Sequence, residues 1–235
     1  MSLPPDSRRY WIVRGMMGLG TLPAIILMSA MIGFGGLARE AGLTLGQAMF
    51  ATFGVWALPS MIVMVGSITA GLGIVPTALA VALASVRFTP MVMSIVPEMR
   101  AAGTRRGTLL ALAHFVAITA WVHALSRFPA VPREHRTAFF GGFAVTLTSV
   151  GTIIVGVVHQ LAATLPMLAS ALLVFLTPLY FLTSLWSNAR FPADRPALLC
   201  GLALGPLAQL MVPSFGLIAA GLIGGTIAYW WTSRE

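Results

Sequence analysis

The sequence contains no lysine, one cysteine and only six acidic residues among its 235 positions. A nucleotide-binding P-loop needs a lysine, so the chain cannot itself be an ATPase of that class. The lone Cys200 excludes an intrachain disulfide. The chain also has no HExxH and no GxSxG sequence, which are the usual signatures of zinc peptidases and serine hydrolases. We therefore expect no enzymatic activity, no metal site and no cofactor.

Charge of either sign is scarce. Charged residues make up 9% of the chain, hydrophobic residues make up 58%, and the mean hydropathy is +0.92. A soluble domain carries about 25% charged residues, so this chain has too few to cover a surface exposed to water. We predict a single integral membrane domain over residues 1–235. The net charge of +8 comes from fourteen arginines, most of which stand between apolar segments, and this distribution indicates membrane topology and not nucleic-acid binding.

Apolar runs long enough to cross a bilayer recur along the chain. A hydrocarbon core about 30 Å thick needs roughly 20 residues of helix. The predicted spans are Gly15–Ala38, Gln47–Leu72, Gly73–Val96, Gly107–Leu125, Thr137–Val158, Leu165–Trp186, Ala197–Val212 and Ser214–Trp231. The last two are expected to form a hairpin, and one kinked helix is the alternative. The predicted fold is therefore all-α and polytopic, with seven or eight transmembrane helices, some of them interrupted by proline.

The arginines also predict an orientation. With eight crossings and a cytoplasmic N-terminus, nine arginines face the cytoplasm and four face outside, as the positive-inside rule favours. One cluster conflicts with this assignment, because Arg100, Arg105 and Arg106 would lie outside. A re-entrant segment around Arg87 would move the cluster, but it would worsen the later loops.

A faint internal echo accompanies these runs. Thr44-Leu45 precedes Pro59 much as Thr164-Leu165 precedes Pro178. Transporters are often built from duplicated units with interrupted helices in matching places. Two threonines and two prolines also match by chance, so the sequence leaves an internal repeat and coincidence open. In an eight-helix count the two halves would be parallel.

Arg87 lies inside the third apolar run and is followed by Pro90 and Pro97. A guanidinium keeps its charge, so near bilayer depth it costs at least a few kcal/mol unless it meets water, a carboxylate or a substrate. The prolines predict a broken helix whose freed backbone groups can bind a polar ligand. Arg87 either holds an anionic group in a cavity, or it reaches an interface or caps carbonyls of the broken helix.

His114 and Trp121 are seven residues apart in the fourth run and are expected to share a helical face, with His123 on the opposite side. A histidine can relay protons near physiological pH. It can equally be a packing residue that is hydrogen-bonded to a carbonyl. The acidic residues nearest to these runs are expected in loops: Glu40, Glu98 and Glu134.

Four short motifs are distinctive: Ala41-Gly42-Leu43-Thr44, Trp56-Ala57-Leu58-Pro59-Ser60, Ser85-Val86-Arg87 and Thr177-Pro178-Leu179-Tyr180. With them the chain resembles the AzlC (YgaZ-type) permeases, the large subunit of bacterial branched-chain amino-acid exporters, over essentially its whole length. It departs from the family pattern at Ser85, where Asn or Asp is usual, and at Met61, where glutamine is usual. His114 stands where the family commonly carries an acidic element.

The resemblance implies a multi-pass permease of the bacterial inner membrane that works as a secondary exporter of valine, leucine, isoleucine or other hydrophobic amino acids. It also implies a small membrane subunit of the AzlD type as a partner. The interrupted second, third and sixth spans would enclose the substrate. The implied substrate-binding residues are Arg87, Trp56, Pro59, Ser60, Pro178 and Tyr180.

In this interpretation Arg87 meets the substrate carboxylate, and the region of Trp56 and Tyr180 receives the aliphatic side chain. His114 is then the candidate for proton coupling. The alternative is a membrane protein without transport activity, either an intramembrane enzyme that uses His114 with a nearby hydroxyl or a scaffold subunit. Such an enzyme requires a nucleophile and a base on facing helices, which the sequence does not show.

Overall fold

The computed structural model describes residues 7–164, 192–211 and 216–232, with isolated positions between 166 and 189. All regular structure in these residues is helical, which confirms the all-α prediction for them. Contacts divide the chain into two compact units, Met1–Thr177 and Pro178–Glu235. The single domain over residues 1–235 stays a prediction.

Nine α-helices lie in the described part of the first unit. They are α1 (Arg8–Met16), α2 (Leu22–Glu40), α3 (Leu45–Val55), α4 (Leu58–Thr69), α5 (Ile74–Ser85), α6 (Thr89–Met99), α7 (Arg106–His114), α8 (Ile118–Arg127) and α9 (Arg136–Ala162). Short 3₁₀ turns occupy Met17–Gly20, Val86–Phe88, Phe128–Ala130 and Arg133–His135.

Helix α9 is the centre of the first unit, because α1, α2 and α3 all pack against it. Near its start, the ring of Trp11 stacks on that of His135, with centroids 6.2 Å apart. Near its end, Nε2 of His159 lies 2.8 Å from the carbonyl oxygen of Leu43. The chain from Trp11 to Leu43 therefore runs in the same direction as α9. We call the end near His135 the basic end and the end near His159 the opposite end.

Helix α3 enters the unit from the opposite end and runs antiparallel to α9. The side chain of Met49 lies against Gly156, and further along α3 the ring of Trp56 lies against Gly151. Gly151 is near the middle of α9, so α3 ends halfway through the unit. Thr44 and Gln47 start α3 with a capping box, in which each side chain bonds to the other's backbone N–H.

Helices α5 and α6 form one line through the unit, because the backbone stays right-handed helical through the turn Val86–Phe88. Their 26 residues extend about 39 Å. The line ends at the basic end, where Arg136 Nη1 lies 2.6 Å from Glu98 Oε2, so it begins at the opposite end. Because α4 joins α5 through a short loop with Gly71 at φ 72°, α4 returns to the opposite end. Together α3 and α4 form a hairpin that reaches half-depth.

Helices α7 and α8 form a second hairpin from the basic end. At the tip of this hairpin, Nε2 of His114 lies 2.9 Å from the carbonyl oxygen of Phe53 in α3. Helix α8 then runs back, and Arg136 Nη2 donates to the Phe128 carbonyl at 3.0 Å. The two hairpins therefore approach from opposite ends and meet in the middle of the unit.

Three helices of the described residues are long and apolar enough to cross a membrane: Leu22–Glu40, Ile74–Met99 and Arg133–Ala162. The second and fourth predicted spans are instead the two hairpins, each of which returns to the end where it starts. The sixth predicted span, Leu165–Trp186, lies largely outside the described residues. The structure gives residues 7–164 three helices of that length and two hairpins, so it does not confirm seven or eight crossings.

The hairpins remove the conflict in the arginine distribution. Because α6 ends beside Arg136, the cluster Arg100, Arg105 and Arg106 lies at the basic end with the N-terminal arginines. Arg39, at the end of α2, lies at the opposite end. The suggestion of a re-entrant segment at Arg87 is wrong. The helix that contains Arg87 is long enough to cross, and the re-entrant hairpins lie before and after it in the chain.

A crossing helix followed by a half-depth hairpin occurs twice, first as α2 with α3 and α4, then as α5 and α6 with α7 and α8. The second copy has the opposite orientation, which is the pattern of an inverted-topology repeat. The echo predicted from Thr44 and Thr164 relates different segments, and its second proline, Pro178, lies outside the described residues.

The described part of the second unit contains α10 (Asp194–Met211) and α11 (Gly216–Thr232), which pack against each other. A Cβ atom added to Gly224 would lie 3.2 Å from Cys200 Cβ, so the two backbones approach closely there.

Gly142→Ala is expected to destabilise the first unit, because a Cβ there would overlap the backbone of Ile12 in α1. Overpacking of this kind costs about 1–3 kcal/mol, which a lower melting temperature of the purified protein in detergent would report. Gly66→Ala in α4 is the matched control, since nothing lies within 4 Å of its added Cβ, and it should leave the melting temperature equal or higher. Equal melting temperatures for the Gly142 variant and wild type would contradict the contact.

Candidate functional site

The break between α3 and α4 is built around Trp56. Its backbone has φ 44° and ψ 35°, the left-handed conformation that ends α3, and a bulky residue adopts it at a cost of about 1–3 kcal/mol. The side chain is only 3% exposed, and its indole Nε1 is buried without a hydrogen-bond partner among the described residues. An enclosed donor of this kind costs free energy until a ligand or a water accepts from it.

Pro59 lies in the first turn of α4, where a proline is favoured because its missing N–H would be unpaired in any case. It therefore initiates a helix, as the predicted interruption of the second span requires. Since Pro59 has no N–H, the carbonyl of Val55 lacks its helical donor four residues on. The interruption thus leaves the carbonyl of Val55, one residue before Trp56, without its helical donor.

A second interruption lies on the crossing helix of α5 and α6, at the 3₁₀ turn Val86–Phe88 that contains Arg87. It precedes Pro90, which sits in the first turn of α6. The expectation that Pro97 also breaks the helix is wrong, because α6 continues through it. The two hydroxyls of Ser60 and Ser85 are 3.0 Å apart, and they join this interruption to the start of α4.

Arg87 is exposed at half-depth on the first unit. Its guanidinium carbon lies 5.1 Å from the ring centroid of the neighbouring Phe88. Within the described residues it forms neither a hydrogen bond nor an ion pair, since the salt bridge found there joins Arg136 to Glu98. A permanent charge at this depth without a protein partner is the situation in which an anionic ligand contributes most.

The third interruption separates α7 from α8 at Phe115, Val116 and Ala117. His114 and Trp121 therefore lie on different helices, and the expectation that they share a helical face is wrong. His114 contacts the Phe53 carbonyl in the first hairpin. Trp121 Nε1 donates to Ser94 Oγ in α6 at 2.8 Å. Each hairpin tip is thus hydrogen-bonded to another helix of the first unit.

The acidic residues differ from their expected places. Glu98 lies in α6 and pairs with Arg136, which also donates to the carbonyl oxygens of Glu98, Phe128 and Val131. Glu40 ends α2 and Glu134 lies in a 3₁₀ turn. The carboxylate of Glu98 is thus occupied at the basic end and lies away from the three interruptions.

Four of the predicted site residues come together at these interruptions. Trp56, Pro59 and Ser60 lie in the tip of the first hairpin, and His114 lies in the tip of the second. Arg87 follows Ser85, the hydroxyl partner of Ser60, by two residues. The remaining two, Pro178 and Tyr180, lie outside the described residues.

Sequence reasoning missed two groups at this site. One is the Phe53 carbonyl, a backbone group that carries no residue-type signal. The other is Ser85, which the sequence marked only as a departure from the usual Asn or Asp. A hydroxyl two residues before an intramembrane arginine was the available signal.

A cavity of about 390 Å³ lies elsewhere, at the basic end. It contains none of the predicted site residues, and its lining includes Arg14, His123 and Arg127. This cavity is therefore separate from the three interruptions, where the broken helices meet.

The comparisons with known proteins agree with the region that the interruptions occupy. A family model described as AzlC protein matches residues 23–164, which is more than half of the chain and includes all three interruptions. The comparison with curated proteins gave no match, and the comparison with solved structures gave none either.

Proposed function

Because the chain belongs to the AzlC family, we propose that it is a secondary transporter that exports branched-chain or other hydrophobic amino acids across the bacterial inner membrane. The AzlC family is a transporter family, and the long apolar helices fit a membrane protein. The particular substrates and the direction of transport belong to the proposal.

The observation that carries this proposal is the meeting of the two hairpin tips at half-depth. Broken helices expose carbonyl and N–H groups where an unbroken helix would satisfy them, and transporters use such places for polar substrates. The tips contribute the indole N–H of Trp56, the carbonyl region of Val55 and the hydroxyl of Ser60. These donors and acceptors can bind the ammonium and carboxylate groups of an amino acid.

The roles follow from the chemistry of each group. Arg87 binds the substrate carboxylate, because a guanidinium fork matches a carboxylate bidentately. Freed carbonyls near Val55 accept from the ammonium group. The ring of Trp56 contacts the aliphatic side chain.

The same geometry weighs against the alternative of an intramembrane enzyme. That alternative requires His114 beside a hydroxyl nucleophile. Within the described residues, Nε2 of His114 contacts the Phe53 carbonyl, and the two close hydroxyls of Ser60 and Ser85 contact each other.

The direct test is efflux from cells preloaded with labelled leucine or valine. Cells that express the chain together with a small AzlD-type subunit should lose label faster than cells that express either protein alone. Both proteins should also purify together through a tag on the small one. Equal efflux with and without the pair, measured at equal membrane expression, would reject the transport proposal. Normal efflux by the chain alone would reject only the partner.

If His114 relays the coupled proton, His114→Gln is expected to flatten the dependence of efflux on pH, because a glutamine amide cannot carry that proton. A glutamine amide can still donate to the Phe53 carbonyl, so the tie between the hairpins should persist. The pH profile of efflux should be compared with that of His135→Gln, which removes a histidine at the basic end.

An unchanged pH profile in His114→Gln would show that His114 is a structural tie and not a proton carrier. If both histidine variants flattened the profile equally, the effect would not belong to the hairpin tip.

A further inference from the structure

The cavity at the basic end has a strongly cationic lining. It lies among α1 with the 3₁₀ turn that follows it, Thr21 just before α2, the end of α8 with the turn after it, and the start of α9. Its charged and hydroxyl side chains are Arg14, Thr21, His123 and Arg127, and the described residues that line it include no acidic residue. The four segments that form it are therefore brought together around positive charge.

Within the described residues, most of this positive charge has no hydrogen-bond or ion-pair partner. Arg14 Nε donates to the Tyr10 hydroxyl at 3.0 Å, which leaves its two terminal amino groups without a protein partner there. Arg127 forms neither a hydrogen bond nor an ion pair in the described part of the chain. Two permanent cations at one cavity repel each other, and an anion that binds both removes this repulsion.

The cavity also continues into an apolar surface. Met17 lines it and is 68% exposed. Thr21 lines it too, and Ile25, one helical turn further on the same face, is 55% exposed. In a membrane this surface contacts acyl chains. The cationic cavity therefore lies beside a surface that can bind hydrocarbon.

We propose that this cavity binds the phosphate headgroup of an anionic phospholipid, with the acyl chains lying along the Met17 and Ile25 surface. Basic pockets between helices near the membrane surface are suited to such headgroups. Free phosphate or glycerol phosphate would use only the cationic half. The proposal is independent of transport, because the site shares no residue with the three interruptions.

The test measures lipid binding to the purified full-length protein in nanodiscs. In phosphatidylcholine nanodiscs that contain a small fraction of phosphatidylglycerol, native mass spectrometry should show retained phosphatidylglycerol. Arg14→Gln and Arg127→Gln should each raise its dissociation constant about tenfold or more, since each removes a charged hydrogen bond. Both side chains are exposed, so the variants should keep the wild-type melting temperature.

Arg133→Gln is the matched control, because it removes an exposed arginine at the same end outside the cavity lining. Its effect should stay below about fivefold, the size of a general surface attraction. An equal loss in all three variants would overturn the site, and so would equal retention of phosphatidylcholine and phosphatidylglycerol. If glycerol phosphate displaced the lipid at a concentration equal to that of the lipid, the ligand would be a free phosphate and the lipid proposal would be wrong.

Discussion

Arg87→Ala is expected to reduce leucine efflux by about thirtyfold or more, with little change in melting temperature. A hydrogen bond to a charged group contributes about 1.5–3 kcal/mol, and in the proposed site the partner of Arg87 is the substrate carboxylate. Stability should change little because the contact seen for the guanidinium within the described residues is the adjacent Phe88 ring. Efflux kinetics and detergent melting curves on one preparation measure both quantities.

Arg87→Lys separates binding from charge alone. Lysine keeps the charge but lacks the planar fork, so the KM should rise about tenfold while the maximal rate is largely retained. Arg105→Lys, at an exposed position of the basic end, should leave KM unchanged. Wild-type KM in Arg87→Ala would exclude the binding role. A loss of folding in Arg87→Ala that lysine restores would make the arginine structural.

Trp56→Phe is expected to raise the KM for leucine about tenfold, because it removes a donor that lacks a protein partner and a hydrogen bond to a charged group contributes about 1.5–3 kcal/mol. The smaller ring also loses contact with Gly151, so some stability should be lost as well. Trp121→Phe is the matched control, since it loses the same ring area and a bond to Ser94. It should lower the melting temperature with a smaller effect on KM.

The choice of substrates decides which part of Trp56 acts. If the indole N–H binds the polar head of the amino acid, the KM should rise by the same factor for alanine, valine and leucine. If the ring receives the aliphatic side chain, the factor should grow with side-chain size. An unchanged KM for all three would remove Trp56 from the site.

The sequence predicted that the second and third spans are interrupted, and the structure shows both interruptions. For the second, Pro59 was a sound signal, because a proline at the first turn of a helix also marks the end of the preceding one. Pro97 was misleading, since α6 accommodates it. The interruption after His114 has no proline or glycine beside it, so no local propensity predicted it.

The number of crossings could not be predicted from apolar length. A helix that crosses and a pair of half-length helices that turn back contain the same number of apolar residues. Contacts distant in sequence separate them, above all Glu98 with Arg136 and Leu43 with His159. The arginines of residues 100–106 carried the available hint, because they conflicted with a full crossing by the second predicted span.

The candidate site was predictable in its residue types but not in its assembly. Arg87 stood out because a charge in an apolar run is costly. Its surroundings depend on the pairing of Ser60 with Ser85 across 25 residues, which no spacing in the sequence reveals.

The close contact between α1 and α9 makes these two helices a rigid part of the first unit. The backbone carbonyls of Ile12 and Phe139 lie where a Cβ on Gly142 or Gly15 would be, so these two helices have no room to slide or roll past each other. The tips of the hairpins are joined to their neighbours by side-chain hydrogen bonds, His114 with Phe53 and Trp121 with Ser94. In the proposed transport cycle, we expect the site to open to either side by tilting of the hairpin tips against α1 and α9.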